Sequence, residues 1–221
     1  AELASPCRSC TRWELDAVHR ARVEEDGDGL AAKEAWLSST LLEWGSCGQV
    51  VRVDGVVAGY ALYAPPAYLP GLAAYATSPV AHDAVALATL HVDPEHAGYG
   101  LGRMLVQGMT ADLARRGVKA VEAVASTTGS DPCLVPADFL LAVGFTTVRA
   151  HPRHPRLRLD LRQTVPAFMR DDVVEAALDR LLGRWTLDNS PVFLAFDLMS
   201  RMLSPYDLNP HGLNPLTAIL D

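Results

Sequence analysis

The chain has 221 residues, 49% hydrophobic and 20% charged, a balance that suits one globular domain with or without a small appendage. With 19 Lys and Arg against 26 Asp and Glu, the formal net charge is −7, which argues against a nucleic-acid partner because phosphate binding draws on clustered cations. No apolar run approaches the roughly 18–20 residues of a membrane span, and the opening AELASPCRSC has neither a basic nor an apolar leader region, so a soluble cytoplasmic protein is expected.

Near the start, Cys7 and Cys10 form a CxxC pair, while Cys47 and Cys133 stand apart. A structural zinc would need a second pair, for which His151 and His154 in HPRHPR are available. Reduced thiols or a redox pair are the other readings, and no metal is assigned. Leu30 to Trp44 is predicted as an amphipathic helix with Trp36, Leu37, Leu41 and Trp44 on one face and Lys33, Glu34 and Ser38 on the other, ended by Gly45. QVVRVDGVVAGYALY then alternates as a β-hairpin, with Asp54-Gly55 as its turn. The following APPAYLPGLAAYATSPVAHD has no strand pattern and is predicted as a long surface loop, a class of segment that often carries function.

Ala84 to Val92 is a mostly buried strand stopped by Asp93-Pro94. A helix follows from Gly102 to Arg116, where Leu101, Leu105, Met109 and Leu113 form a stripe and Arg103, Gln107, Asp112 and Arg116 fall outside it. Val118 to Ala125 is a strand, Pro136 to Val143 a short helix, Phe145 to Arg149 and Leu157 to Leu161 two further strands, and Asp171 to Leu182 one more helix. Taken in order, these elements describe a mixed α/β layer rather than a doubly wound repeat.

Between the strand and the helix, HVDPEHAGYGLGRML carries Gly98, Gly100 and Gly102. Glycines let backbone N–H groups approach an anion, and a helix start adds unsatisfied donors and partial positive charge. The turn therefore suits a phosphate or pyrophosphate, with Arg103 at its mouth. It is not the GxGxxG dinucleotide fingerprint, and no Gly-Lys-Ser/Thr follows as in a Walker loop.

The segment resembles the CoA-binding motif of the GNAT acetyltransferase superfamily. Val92-Asp93-Pro94 matches that family's strand exit and Gly100 and Gly102 its glycine positions, while Ala97 stands where Gln or Arg is usual. Val143-Gly144-Phe145 and the early hairpin extend the likeness over about residues 11–162. The resemblance implies a central mixed, mostly antiparallel sheet flanked by helices. It also implies acetyl-CoA or another acyl-CoA as cofactor, and transfer of the acyl group to a small-molecule, peptide or protein amine by direct attack. Under it, the cofactor would be held by Leu90, Val92, Ala97, Gly98, Tyr99, Gly100, Leu101, Gly102, Arg103 and Phe139. The family's tyrosine acid is replaced by Leu140. Cys133 and Ser126 are nearby in sequence as substitutes.

His91 is the first candidate for general base, since imidazole titrates near neutrality and alternation sets it on the face opposite Leu90 and Val92, beside Thr89. A histidine that simply packs against a neighbouring element is the other reading. Glu95 and His96 are second candidates. The missing tyrosine and the Ala97 substitution also fit an acyl-CoA-binding module without chemistry.

The expected division is residues 1–165 as the acyltransferase domain, 166–182 as a connecting helix and 183–221 as an appended segment. In that segment SPYDLNP and LNPL resemble a fragment of patatin-like lipid hydrolases. The hydrolases' Gly-x-Ser-x-Gly elbow is missing: Gly45-Ser46-Cys47-Gly48 does not fit it, so hydrolase activity is not carried over. The segment is expected to dock on the main domain, or on a second copy as in a homodimer, through Phe193, Phe196, Leu198 and Met202.

Overall fold

The structure is a computed structural model that describes residues 8–129 and 131–161 together with the backbone of 185–188. The helix expected at 171–182 and most of the segment 183–221, including its four docking residues, lie outside the described residues.

Helix α1 (Ala17–Asp26), which the sequence reading missed, starts where the Asp16 carboxylate accepts from the amides of Val18 and His19, at 2.9 and 3.0 Å, and stops at Gly27 in the left-handed region. Its weak apolar pattern explains the miss: it buries no residue. Helix α2 (Gly29–Glu43) matches the expectation, with Trp36 and Leu37 buried. Lys33 departs from it. Instead of facing water, its side chain is 7% exposed, paired with the fully buried Glu14 carboxylate and donating to the Cys10 carbonyl at 2.9 Å. A buried cation is tolerable only with such partners, and periodicity on α2 could not reveal a partner supplied by the preceding segment.

Strands β1 (Gly48–Val53) and β2 (Val56–Ala64) form the expected hairpin, with Asp54 and Gly55 at φ 50° and 79°. After β2 come short 3₁₀ turns at Pro66–Tyr68 and Pro70–Ala74. The expected surface loop is partly core, because Leu69, Leu72 and Val80 are buried against Trp13 and Trp36. Prolines had broken the periodicity that would have marked those leucines as buried.

Strand β3 (Ala84–Val92) leads through a 3₁₀ turn at Pro94–His96 into α3 (Leu101–Arg115). Then follow β4 (Ala120–Ser126), β5 (Val135–Pro136), α4 (Ala137–Ala142), β6 (Thr146–Arg149), β7 (Arg156–Asp160) and β8 (Trp185–Asp188). Together the strands make a sheet in the order β6-β7-β4-β3-β2-β1-β8, with β5 on β4. Among the described strands, only β3–β4 and β4–β5 are parallel; the other pairings are antiparallel. This is the mixed, mostly antiparallel sheet flanked by helices that the family resemblance implies. Strand β8 was not predicted; it extends the edge beyond β1, joining part of the 183–221 segment to the same sheet.

Among the described residues, buried apolar clusters cover both faces of the sheet. Helix α3 covers one face through Leu101, Met104, Leu105, Met109 and Leu113, against Val85, Leu87, Val121 and Ala123. Trp13, Trp36, Leu37, Leu69 and Leu72 cover part of the other, over Ala84, Ala86, Ala88 and Val124. Asp112, expected outside the stripe of α3, is buried at 7% exposure. It accepts from the Tyr63 hydroxyl at 3.0 Å and from Arg116 at 3.2 Å. Arg116 also donates to the Ser46 and Trp44 carbonyls, at 2.7 and 3.0 Å, and lies 3.7 Å over the Trp44 ring.

This network clamps the C-terminal end of α3 to the hairpin. Burial pushes the Tyr63 phenol well above its usual range, so it stays a donor. Gln49 Nε2 donates to the same hydroxyl at 3.1 Å, so Tyr63→Phe removes one donor and one acceptor from a dry site. The expected loss is about 1–2 kcal/mol in urea denaturation, and an unchanged midpoint would show that the clamp contributes nothing.

A second charged group joins the far end of the long loop to the sheet. Glu122, 2% exposed, meets Arg156 and Arg158 at 3.1 Å each, and Arg158 forks onto both oxygens of Asp83 at 3.0 Å. The bidentate geometry draws the Asp83 carboxyl below its ordinary range and raises Arg158.

Candidate functional site

The turn between β3 and α3 is exposed from Ala97 to Gly100. Gly98 and Gly100 lie at φ 84° and 85°, conformations that L side chains resist, and Gly100 is the N-cap of α3 without a capping side chain. The first amide of the helix with a backbone acceptor is that of Met104, which donates to the Gly100 carbonyl at 3.1 Å. Among the described residues, none of the N–H groups from Gly98 to Arg103 has an acceptor. Six consecutive donors are thus free at a helix start, the arrangement that binds a phosphate. Tyr99 is 48% exposed beside them, and Arg103 reaches the Ala142 carbonyl at 3.5 Å. Ala97 contributes no polar side chain.

The sheet opens next to this turn. Strands β3 and β4 pair only at Ala84↔Ala120, Val85↔Val121 and Ala86↔Glu122. Beyond Ala86, β3 keeps only β2 as partner among the described residues, while β4 turns to β7 and β5. A bulge at Ala88 resets the register, since Leu62 faces Thr89 and Tyr63 faces Leu87. After it, Leu90 and Val92 pack on the α3 side. The Asp93 amide donates to Ala58 on β2 at 2.9 Å, so alternation turns the main chain of Leu90 and Val92 away from β2, into the gap left by β4.

Gly102 sits where α3, α4 and β3 meet. A Cβ there would lie 3.1 Å from two ring carbons of Phe139 and 3.6 Å from Leu90 Cδ2. The half-buried Phe139 ring therefore rests directly on the helix start. Leu140, next to it, is fully buried in the core, so no hydroxyl acid stands at that position.

On the opposite face of β3, His91 pairs across the strand with Tyr60, ring to ring at 5.7 Å. Its Nε2 lies 3.3 Å from Asp93 Oδ1, with the two side chains 23% and 22% exposed. Both atoms are buried without an aligned hydrogen bond among the described residues. Sequence reasoning named His91 but missed Asp93 and Tyr60 as its neighbours. The i, i+2 spacing of His91 and Asp93 was a legible signal for the first; the second needed the β2–β3 register. Glu95 is exposed, and His96 is half-buried with no partner for Nδ1 among the described residues. The two proposed stand-ins for the absent tyrosine are otherwise engaged: Ser126 Oγ accepts from the amides of Thr128 and Gly129 at 3.3 and 3.2 Å, and Cys133 Sγ faces Cys10 Sγ.

Among the described residues no group of three or more His, Cys, Asp or Glu could hold a metal ion, and no described helix is long and apolar enough to cross a membrane.

Comparison with solved structures finds similar chains. A GNAT-family protein of Desulfovibrio desulfuricans is 23% identical, with 66% of this chain and 92% of that one covered at a TM-score of 0.41. YhbS of Escherichia coli, solved with CoA, is 23% identical over 59% and 68%, at 0.39. The yncA protein of Salmonella typhimurium, solved with acetyl-CoA, is 22% identical over 60% and 73%, at 0.44. No curated protein matches. The sequence model described as the acetyltransferase (GNAT) family matches residues 11–132, more than half of the chain. That match stops short of 183–221, so it lends the patatin-like resemblance no support. With that match over the strands, bulge and glycine turn just described, the chain belongs to the GNAT family of acetyltransferases.

Proposed function

We propose that this chain transfers an acetyl or other acyl group from CoA to an amine by direct attack of the amine. The observation that carries the reading is the row of amides from Gly98 to Arg103 at the start of α3, without acceptors among the described residues, beside the gap between β3 and β4. The amides would hold the pyrophosphate, and the main chain of Leu90 and Val92 would pair with the amide-bearing arm that follows it. When bound, acyl-CoA supplies the thioester carbonyl that the amine attacks. The protein's work is then positioning, plus removal of a proton from the incoming ammonium. His91 takes that proton in our reading, with Asp93 orienting its ring. Glu95, on the exposed turn, is the weaker candidate. We place the reaction in the cytoplasm, where thiols stay reduced.

A second reading is an acyl-CoA-binding module without turnover, favoured by Leu140 in the acid's position and Ala97 in the turn. Titration calorimetry with acetyl-CoA, followed by colorimetric detection of free thiol with a panel of amines, peptides and a lysine-rich protein, separates the two. Saturable binding with amine-dependent thiol release is expected. Binding without release would select the silent module, and no binding would overturn both.

A further inference from the structure

Away from the glycine turn, the segment preceding α1 and the connection between β4 and β5 bring two thiols together. Cys10 Sγ and Cys133 Sγ lie 3.7 Å apart, both half-buried and 123 residues apart in sequence. The CxxC motif had suggested Cys7 as the partner of Cys10; Cys7 lies outside the described residues. The two segments are held in register on both sides of the sulfurs. Arg12 pairs with Asp131, Trp13 Nε1 donates to the Cys133 carbonyl at 3.3 Å, and the Cys133 amide donates to Asp131 Oδ1 at 3.0 Å. Lys33 Nζ is bonded to the Cys10 carbonyl at 2.9 Å, setting a cation beside the thiol, while Glu14 tempers it.

We propose that Cys10 and Cys133 form a peroxide-reactive dithiol, Cys10 being the sulfur that is oxidised first and Cys133 the one that resolves it. The Cys10 thiolate attacks one oxygen of hydrogen peroxide, the O–O bond breaks, and hydroxide leaves to be protonated as water. The Cys133 sulfur then attacks the sulfenic sulfur of Cys10, the S–O bond breaks, and a second water leaves. In total the two thiols lose two protons and two electrons, and the peroxide takes up both to become two waters. Closing from 3.7 Å to the roughly 2.0 Å of an S–S bond needs side-chain rotation, with the flanking contacts already made.

The electrostatics agree with this order. The contact with Cys133 foremost, then the Arg12 amide and the Lys33 charge, draw the Cys10 thiol down to about 6 against the effect of burial. Cys47 is the internal control, buried and pushed up to about 12. Reversible bridges of this kind suit a reducing compartment, where a disulfide is formed on demand rather than carried permanently.

Treating the full chain with hydrogen peroxide and mapping its peptides under non-reducing conditions tests the proposal. The expected product is a Cys10–Cys133 linked peptide that disappears on adding dithiothreitol, formed roughly tenfold faster than any modification of Cys47. Cys7→Ser should leave the bridge intact, and Cys133→Ser should leave a sulfenic acid on Cys10 that dimedone traps. A Cys7–Cys10 bridge in the unsubstituted chain, or oxidation of Cys47 as fast as that of Cys10, would overturn it. Because the unsubstituted protein gives the main result, a misfolded variant cannot leave the matter open.

Discussion

Gly102→Val is expected to weaken acetyl-CoA binding by roughly 100-fold, about 2.7 kcal/mol. The first added carbon already lies 3.1 Å from the Phe139 ring, and the two methyls beyond it have no room between Phe139 and Leu90. Overpacking of this kind costs about 1–3 kcal/mol and is relieved by backbone movement. The backbone available to move is the first turn of α3, which carries three of the six free amides. Gly98→Ala is the informative contrast. A Cβ at Gly98 meets nothing within 4 Å, but φ 84° is strained for any side chain. That substitution acts on the turn's conformation alone, at about 1–2 kcal/mol. If packing is the cause at Gly102, adding Phe139→Ala should restore a large part of the affinity lost by Gly102→Val, a coupling that a double-mutant cycle reads directly. Calorimetric titration measures the affinities and thermal melts report whether each variant is folded. A folded Gly102→Val protein that binds acetyl-CoA as well as the original would separate the turn from the coenzyme and sink the assignment.

The parts of this site that were legible in the sequence are those encoded locally. The Asp54-Gly55 turn requires left-handed backbone, so the hairpin could be read from two residues. Three glycines between a buried strand and an amphipathic helix can be read in the same way, because strand, turn and helix are contiguous. The rest depends on residues far apart in the chain. Lys33 and Asp112 look like solvent-facing helix positions until Glu14 and Tyr63 are brought against them. The bulge at Ala88 follows from pairing β3 with β2 and leaves no mark in AVALATLHV itself. Cys10 invited pairing with its neighbour three residues away, whereas the fold offers Cys133. Local chemistry thus located the turn, while tertiary register decided what surrounds it.

His91→Gln is expected to lower kcat by about 10²-fold while leaving acetyl-CoA affinity unchanged. The two effects separate because of the faces of β3. His91 points away from α3, toward Tyr60 and Asp93, whereas Leu90 and Val92 face α3 and turn their main chain toward the β4 gap. Glutamine keeps the bulk beside Tyr60 but cannot take a proton near neutrality, so packing survives and proton removal does not. Asp93→Asn should have a smaller effect, about tenfold, because it loosens the ring without removing it. The readout that distinguishes chemistry from structure is the pH dependence of kcat. If His91 accepts the proton, the ascending limb of the profile disappears in His91→Gln, and only a slow rise from unassisted deprotonation of the ammonium remains. A histidine that merely packs would leave that limb in place and lower kcat only as far as the melting temperature falls. An unaltered profile with near-normal turnover would return His91 to the core and direct the search for a base to the exposed Glu95 or to the half-buried His96, whose Nδ1 lacks a partner among the described residues.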